Sequence, residues 1–136
     1  MSLITAVFLL LVMAALALYV THITTAQHGA STLDLEGSRA YHAARTGLEF
    51  GAFQAISAAS CPAAVNLALP AANFADFTSV AVTCASTVHT EGTTARTLYR
   101  LTATACNDPG GVCPNTVAPG ANYVERQLQL SVISPP

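Results

Sequence analysis

The sequence predicts an α+β fold in which one long N-terminal helix packs on a small antiparallel sheet of about three strands. Apolar and small residues keep a helical period from the start of the chain to about residue 60, and the pattern then changes to the alternation typical of strands. The first proline is Pro62, and it is expected to end the helix because proline cannot continue the backbone hydrogen bonds. Neither the helix nor the sheet is expected to be stable alone at this size.

The first part of the predicted helix, over 1–24, is apolar on all sides. Seventeen of the eighteen residues from Leu3 to Val20 are apolar, which satisfies the length and composition of a membrane-spanning helix. No Lys or Arg precedes or interrupts this run, whereas a secretory signal needs a cationic start and a shorter apolar stretch. We therefore expect that a basic leader has already been removed. A native start at Met1 is the alternative, and the membrane orientation then has no charge signal.

The second part of the helix, over 25–60, is predicted to be amphipathic. Small or apolar residues recur every three or four positions, at Leu33, Gly37, Tyr41, Ala44, Leu48, Ala52, Ile56 and Ala59. This narrow stripe, built partly of Ala and Gly, is expected to face the sheet. The spacing of Arg45 with Glu49, and of Glu36 with Arg39, allows each pair to meet on the solvent face.

Residues 61–134 are predicted to form a disulfide-bearing β domain, followed by a tail at 135–136. The segment 63–78 is expected to be an irregular connection with one short helical turn. Alternation predicts strands in "SVAVTCASTVH", "ARTLYRLTATAC" and "YVERQLQLSVI", and Glu91-Gly92 is expected to form the turn of a hairpin. The segment 107–122, "NDPGGVCPNTVAPGAN", is dense in turn residues and is predicted to be a loop.

The four cysteines indicate disulfides rather than a metal or a redox centre. Their even number fits an oxidising compartment. The sequence lacks the C-x2-C pairs that are typical of zinc sites. Three pairings are possible. We favour Cys61–Cys84, which would tie the helix end to the first strand, and Cys106–Cys113, which would close a compact loop. A catalytic redox pair normally has two residues between its cysteines, and the second pair has more.

Charge and motif content argue against an enzyme. Five Lys+Arg stand against seven Asp+Glu, so nothing steers the chain toward nucleic acid, and no polybasic cluster addresses anionic lipid. The Asp34 and Glu36 carboxylates are expected on opposite faces of a solvated helix, where they cannot share a proton. The four histidines show no HExxH or comparable pairing: His22, His28, His42 and His89. We therefore expect no catalytic residues, no metal and no cofactor.

Several stretches together resemble the type IV pilin and pseudopilin family, and within it the MSHA pilus biogenesis proteins of the MshP type. These stretches are "SLITAVFLLLVMAALALYV", "LDLEGSRAYHAARTGLEFGAFQ", "EGTTARTLYRLTATAC" and "YVERQLQLSV", and they cover nearly the whole chain. The resemblance implies a structural, minor pilin-like subunit, held in the bacterial inner membrane with a periplasmic domain and then moved into an extracellular pilus. The implied partners are other pilin subunits or further copies in a helical filament, a pilus assembly platform and a prepilin peptidase.

The resemblance also assigns roles near the N-terminus. Met1 stands where the family usually has an N-methylated Phe, so its amine is implied to be the methylated one if Met1 is native. Thr5 replaces the usual Glu, a buried carboxylate that pairs with the amine of the neighbouring subunit. The expected helix-packing positions in the filament are Leu3, Phe8, Leu11, Ala15 and Tyr19.

Three functions of the subunit stay open, and the first two depend on Thr5. A subunit at the tip, or one that primes assembly, has no need of the carboxylate, because no later subunit is added behind it. The second possibility is a main repeating subunit that assembles without this Glu and in which Thr5 is simply a tolerated polar residue. The third is an anchored adhesin that binds through the 107–122 loop.

Overall fold

The computed structural model describes residues 2–74, 76–108, 110, 113–117, 119–120 and 122–134. Its elements are helix α1 (Ser2–Ser57), strand β1 (Val65–Ala68), helix α2 (Ala71–Phe74) and strands β2 (Ser79–Glu91), β3 (Thr94–Cys106) and β4 (Glu125–Ile133). A long N-terminal helix and an antiparallel sheet are thus both present, as predicted. Met1 and the predicted tail at 135–136 lie outside the described residues.

The chain divides by its internal contacts into two units, Met1–Leu35 and Glu36–Pro136. The described side chains of the first unit are all exposed. This division falls later than the boundary at residue 24 that the polarity change suggests. The segment 25–35 is polar enough to differ from the apolar run, but its described side chains are exposed like those of that run.

The sheet has four strands in the order β1-β2-β3-β4, all antiparallel, rather than the predicted three. The additional strand is β1, in which Val65 lies opposite Val82 and Ala68 opposite Ser79. It falls within 63–78, where an irregular connection was predicted; four residues are too few to show alternation above the surrounding pattern. The short helix predicted in this segment is α2.

The β2–β3 hairpin turns through two residues, Gly92 and Thr93. Glu91 is still paired with Thr94 in the ladder, so the turn lies one residue beyond the predicted Glu91-Gly92. Gly92 has a φ of 65°, a value that glycine adopts without steric cost and that two-residue hairpin turns require.

The helix face that packs on the sheet is made of the smallest residues. Its buried members are Gly37, Ala40, Ala43, Ala44, Gly47, Leu48, Gly51 and Ala55. The predicted stripe was therefore right at Gly37, Ala44 and Leu48, and partly right at Ala52, which is half-buried. It was wrong at Leu33, Tyr41, Ile56 and Ala59, which are exposed. Small side chains let the helix backbone approach the strands closely. Close packing therefore decides which side chains of α1 are buried more than their hydrophobicity does.

The closest approach is at Gly47. A Cβ atom added there would lie 2.7 Å from Val80 Cγ1 and 3.2 Å from the Cβ of Ala103. The sheet side of this core comes from alternate residues of β2 and β3, completed by residues before β2: Val80, Val82, Leu101, Ala103, Ala105, Leu69 and Phe77.

The helix ends at Ser57, three residues before the predicted end. The amide of Ser60 donates to the carbonyl oxygen of Gln54 at 3.1 Å, and Ala59 has a φ of 47°. Helices often end at a residue in this left-handed region. The backbone therefore turns before Cys61-Pro62 is reached.

Candidate functional site

The apolar segment of α1 is the first candidate interaction surface. The predicted packing positions Leu3, Phe8, Leu11 and Tyr19 are between 63% and 76% exposed, and Ala15 is exposed as well. Over the described residues, one helix is long and apolar enough to cross a membrane, and a signal sequence near the N-terminus would pass the same test. The segment is therefore a candidate membrane anchor or signal.

Three threonines follow the apolar run and bind their own helix. The hydroxyls of Thr21, Thr24 and Thr25 donate to backbone carbonyls three or four residues earlier, at 2.8 to 3.1 Å. A polar side chain that is satisfied in this way does not need water. Thr5 lies within the apolar run and is exposed.

Asn107 connects the start of the second unit's helix with both ends of the loop between β3 and β4. Its Nδ2 donates to the Asn122 carbonyl at 2.8 Å and to Glu36 Oε2 at 3.4 Å, and its Oδ1 accepts from the Val124 amide at 2.8 Å. Glu36 thus contacts Asn107, whereas Arg45 and Glu49 form the expected ion pair at 3.0 Å.

Tyr123 joins the middle of the same loop to β4. Its hydroxyl donates to Glu125 and accepts from the amide of Asn115 at 3.0 Å. Partial burial raises the pKa of the Tyr123 phenol above its ordinary value of 10.0, and the hydrogen bond to Glu125 and the nearby charges of Glu125 and Asp108 raise it further. Tyr123 therefore ties the predicted loop at 107–122 to β4 through side-chain hydrogen bonds. Residues 109, 111–112, 118 and 121 of this loop lie outside the described residues.

The cysteines form the two disulfides that the sequence favours. Cys61 is joined to Cys84 with Cα atoms 5.2 Å apart, and Cys106 is joined to Cys113 with Cα atoms 5.7 Å apart. The chain has no free cysteine. Cys61–Cys84 links the segment after α1 to β2, and Cys106–Cys113 closes the loop onto the buried end of β3.

The described histidines and the helix carboxylates lie at separate, mostly exposed positions. His22 and His42 are exposed on α1, and His89 is exposed on β2; the side chain of His28 lies outside the described set. Asp34 is exposed while Glu36 is half-buried against Asn107. Among the described residues, no group of three or more His, Cys, Asp or Glu is placed to hold a metal ion.

A shallow crevice at the hairpin end of the sheet was not anticipated. It is lined by His89, Glu91, Arg96, Leu98 and Ile133, and Arg96 Nε lies 3.6 Å from Glu91 Oε2. The alternation of residues along β2 and β3 could have predicted which side chains share this surface. Val82 and Ala103 face the helix, so the residues at odd positions of β2 and even positions of β3 share the opposite face.

Comparison with protein-family models, with curated proteins and with solved structures gives no significant match for this chain.

Proposed function

We propose that this chain is a structural, non-enzymatic subunit of a type IV, MSHA-like pilus. The observation that supports the proposal is that every apolar residue from Leu3 to Val20 is exposed, on a helix whose later turns pack on a sheet. Burying one large apolar side chain is worth about 1.5–3 kcal/mol. An uncovered run of this length therefore requires lipid, other helices, or each of these in turn.

The same apolar segment serves both environments in the proposed life cycle. Lipid and a bundle of pilin helices are both apolar surroundings, so the subunit can wait in the inner membrane and then move into the filament without exposing the segment to water. Its partners are other pilin subunits or further copies of itself, delivered by an assembly platform after a prepilin peptidase has acted. Methylation of the amine of Met1, if that residue is native, belongs to this proposal.

Thr5 assigns the subunit to the minor class, at the tip of the filament or in the priming of assembly. A threonine cannot be ionised, so it offers no charge to the amine of an incoming neighbour. Cryo-EM of shed filaments separates this assignment from that of a main subunit. Density for this chain repeated along the shaft would contradict the minor role while leaving the pilus proposal intact.

Fractionation of cells and sheared filaments tests the main proposal. We expect the full chain in the inner membrane and in filaments, with an intact mass that reports leader removal, N-methylation and two disulfides. A chain found free of the membrane after cleavage behind the apolar run would identify a signal sequence and refute the proposal.

A charge inserted into the segment provides a matched pair of variants. Leu10→Arg places a cation in the apolar run and costs about 2.5–3.5 kcal/mol on membrane-insertion scales, so we expect less protein in both the membrane and the filaments. Leu35→Arg, at an exposed position beyond the run, is the control and is expected to reach the membrane normally.

A further inference from the structure

The face of the sheet turned away from α1 is positively charged at its hairpin end. His89 lies directly opposite Arg96 in the ladder, and Arg100 lies on the same face of β3, four residues further along and so about 13 Å away. We call His89, Arg96 and Arg100 the basic face. His89 and Arg100 are exposed, and Arg96 is partly exposed.

This charge contrasts with the rest of the molecule. Two of the five Lys+Arg lie on the basic face, beside one of the seven Asp+Glu, in a chain of net charge −2. That acid is Glu91, 3.6 Å from Arg96 and with a side chain that is 71% exposed. Ion pairs this exposed contribute about 0–1 kcal/mol, so an incoming carboxylate could readily replace Glu91 beside Arg96.

The surroundings of the basic face restrict the chemistry of its ligand. Along all four strands, the residues on this side of the sheet include no Phe, Tyr or Trp, and the imidazole of His89 is the single aromatic ring, so a run of stacked nucleic-acid bases has no platform. The face instead carries hydrogen-bonding groups on adjacent strands, among them Thr83, Thr87, Thr102, Gln129 and Ser131.

Two apolar side chains complete the surface. Leu98 and Ile133 are paired across β3 and β4 and line the crevice beside His89 and Arg96. An open surface with spaced guanidinium groups, many hydroxyls and a small apolar area suits a polymer that has carboxylates, many hydroxyls and apolar ring faces.

We propose that the outer face of the β2–β3 hairpin binds an acidic polysaccharide. Arg96 and Arg100 pair with carboxylates of the polymer through the two-pronged geometry of guanidinium. Thr87 and Ser131 bind its hydroxyl groups, and Leu98 and Ile133 contact the apolar face of a sugar ring. The proposal concerns this domain surface alone and does not depend on assembly into a filament.

Binding of the full chain in detergent micelles to polygalacturonate, a polymer of carboxylated sugars, tests the proposal. We expect binding that weakens as salt is raised, since exposed charges are screened, and no binding to neutral dextran. Arg96→Gln and Arg100→Gln are each expected to weaken binding about tenfold, as for the loss of one charge-assisted hydrogen bond, and the double variant is expected to abolish it.

Arg45→Gln is the matched control, because Arg45 is also an exposed arginine paired with a glutamate, but on α1. It is expected to bind like the wild type, and circular dichroism of each variant checks the fold. The proposal is overturned if the wild type does not bind polygalacturonate, or if Arg45→Gln weakens binding as much as the hairpin variants do. Binding of duplex DNA that is as tight as that of polygalacturonate, or tighter, also overturns the proposal, since negative charge alone would then determine which polymer binds.

Discussion

Gly47 lies where the backbone of α1 approaches the sheet most closely, and we predict that Gly47→Ala destabilises the protein. The added methyl would lie 2.7 Å from Val80 Cγ1 and 3.1 Å from Val82 Cγ2. Overpacking a core costs about 1–3 kcal/mol, and the better helix propensity of Ala returns about 1 kcal/mol. The free energy of unfolding should therefore fall by up to about 2 kcal/mol, measured by thermal unfolding in detergent.

Gly29→Ala is the control for this prediction. Nothing lies within 4 Å of a Cβ atom added at Gly29, so only the gain in helix propensity applies and Tm should stay unchanged or rise. A Tm that rises equally in both variants would show that the helix does not approach the sheet as closely at Gly47.

Tyr123 makes stability depend on pH at the alkaline end. Its pKa is raised in the folded state, so the folded protein holds the phenolic proton more tightly than the unfolded chain does. The stabilisation is complete below the unfolded pKa and is lost as the pH rises through the folded value. We expect the free energy of unfolding to fall more steeply above about pH 10 in the wild type than in Tyr123→Phe.

Glu125→Gln tests the cause of this shift. It removes the negative charge beside the phenol, so the pKa of Tyr123 should decrease toward its ordinary value. The ultraviolet absorbance of tyrosinate follows the titration of the tyrosines. The step that is missing in Tyr123→Phe is the titration of Tyr123. An unchanged step in Glu125→Gln would mean that burial alone raises the pKa.

Some residue contacts could be anticipated from sequence and others could not. The Arg45–Glu49 pair follows from helical spacing alone. The junction at Asn107 does not, because it joins Glu36 to residues far along the chain through a contact that exists only once the sheet is formed. Spacing along a helix gives local geometry, whereas register between distant segments depends on the whole fold.

Among the elements, the disulfides differ in the length of chain that they close. Cys61 and Cys84 are 23 positions apart, whereas Cys106 and Cys113 are 7 apart. In the loop-entropy model, these bridges contribute about 3.5 and about 2.5 kcal/mol respectively. We predict that the double variant Cys61→Ser/Cys84→Ser loses more thermal stability than Cys106→Ser/Cys113→Ser. The reverse order would show that anchoring of the 107–122 loop outweighs chain entropy.

The elements also show where sequence patterns have limits. Long periodic segments predicted α1, β2, β3 and β4, because a pattern repeated over many residues is hard to mistake. The four residues of β1 carry too little pattern, and their pairing depends on β2. The buried face of α1 was misassigned in part, because close packing selected Ala and Gly over Leu, Tyr and Ile.

At the scale of the whole molecule, the two proposed interaction surfaces can be tested separately. The apolar run and the basic face lie in different units of the chain, and each is proposed to meet a different partner. Variants of Arg96 and Arg100 should therefore leave membrane insertion and filament incorporation unchanged, while Leu10→Arg should impair both.

Thr5→Glu decides whether this chain is a tip or priming subunit or an ordinary shaft subunit. If Thr5 marks a subunit behind which none is added, the new carboxylate has no amine to pair with, at a cost on the order of 2–3 kcal/mol on insertion scales. We then expect less incorporated protein and fewer filaments initiated. In an ordinary shaft subunit, the same change would restore a pair with the neighbouring amine and maintain or increase filament yield. The amounts of sheared filament, and of this subunit within it, are compared with the wild type. Thr5→Ser is the neutral control, and increased incorporation of Thr5→Glu would refute the tip assignment.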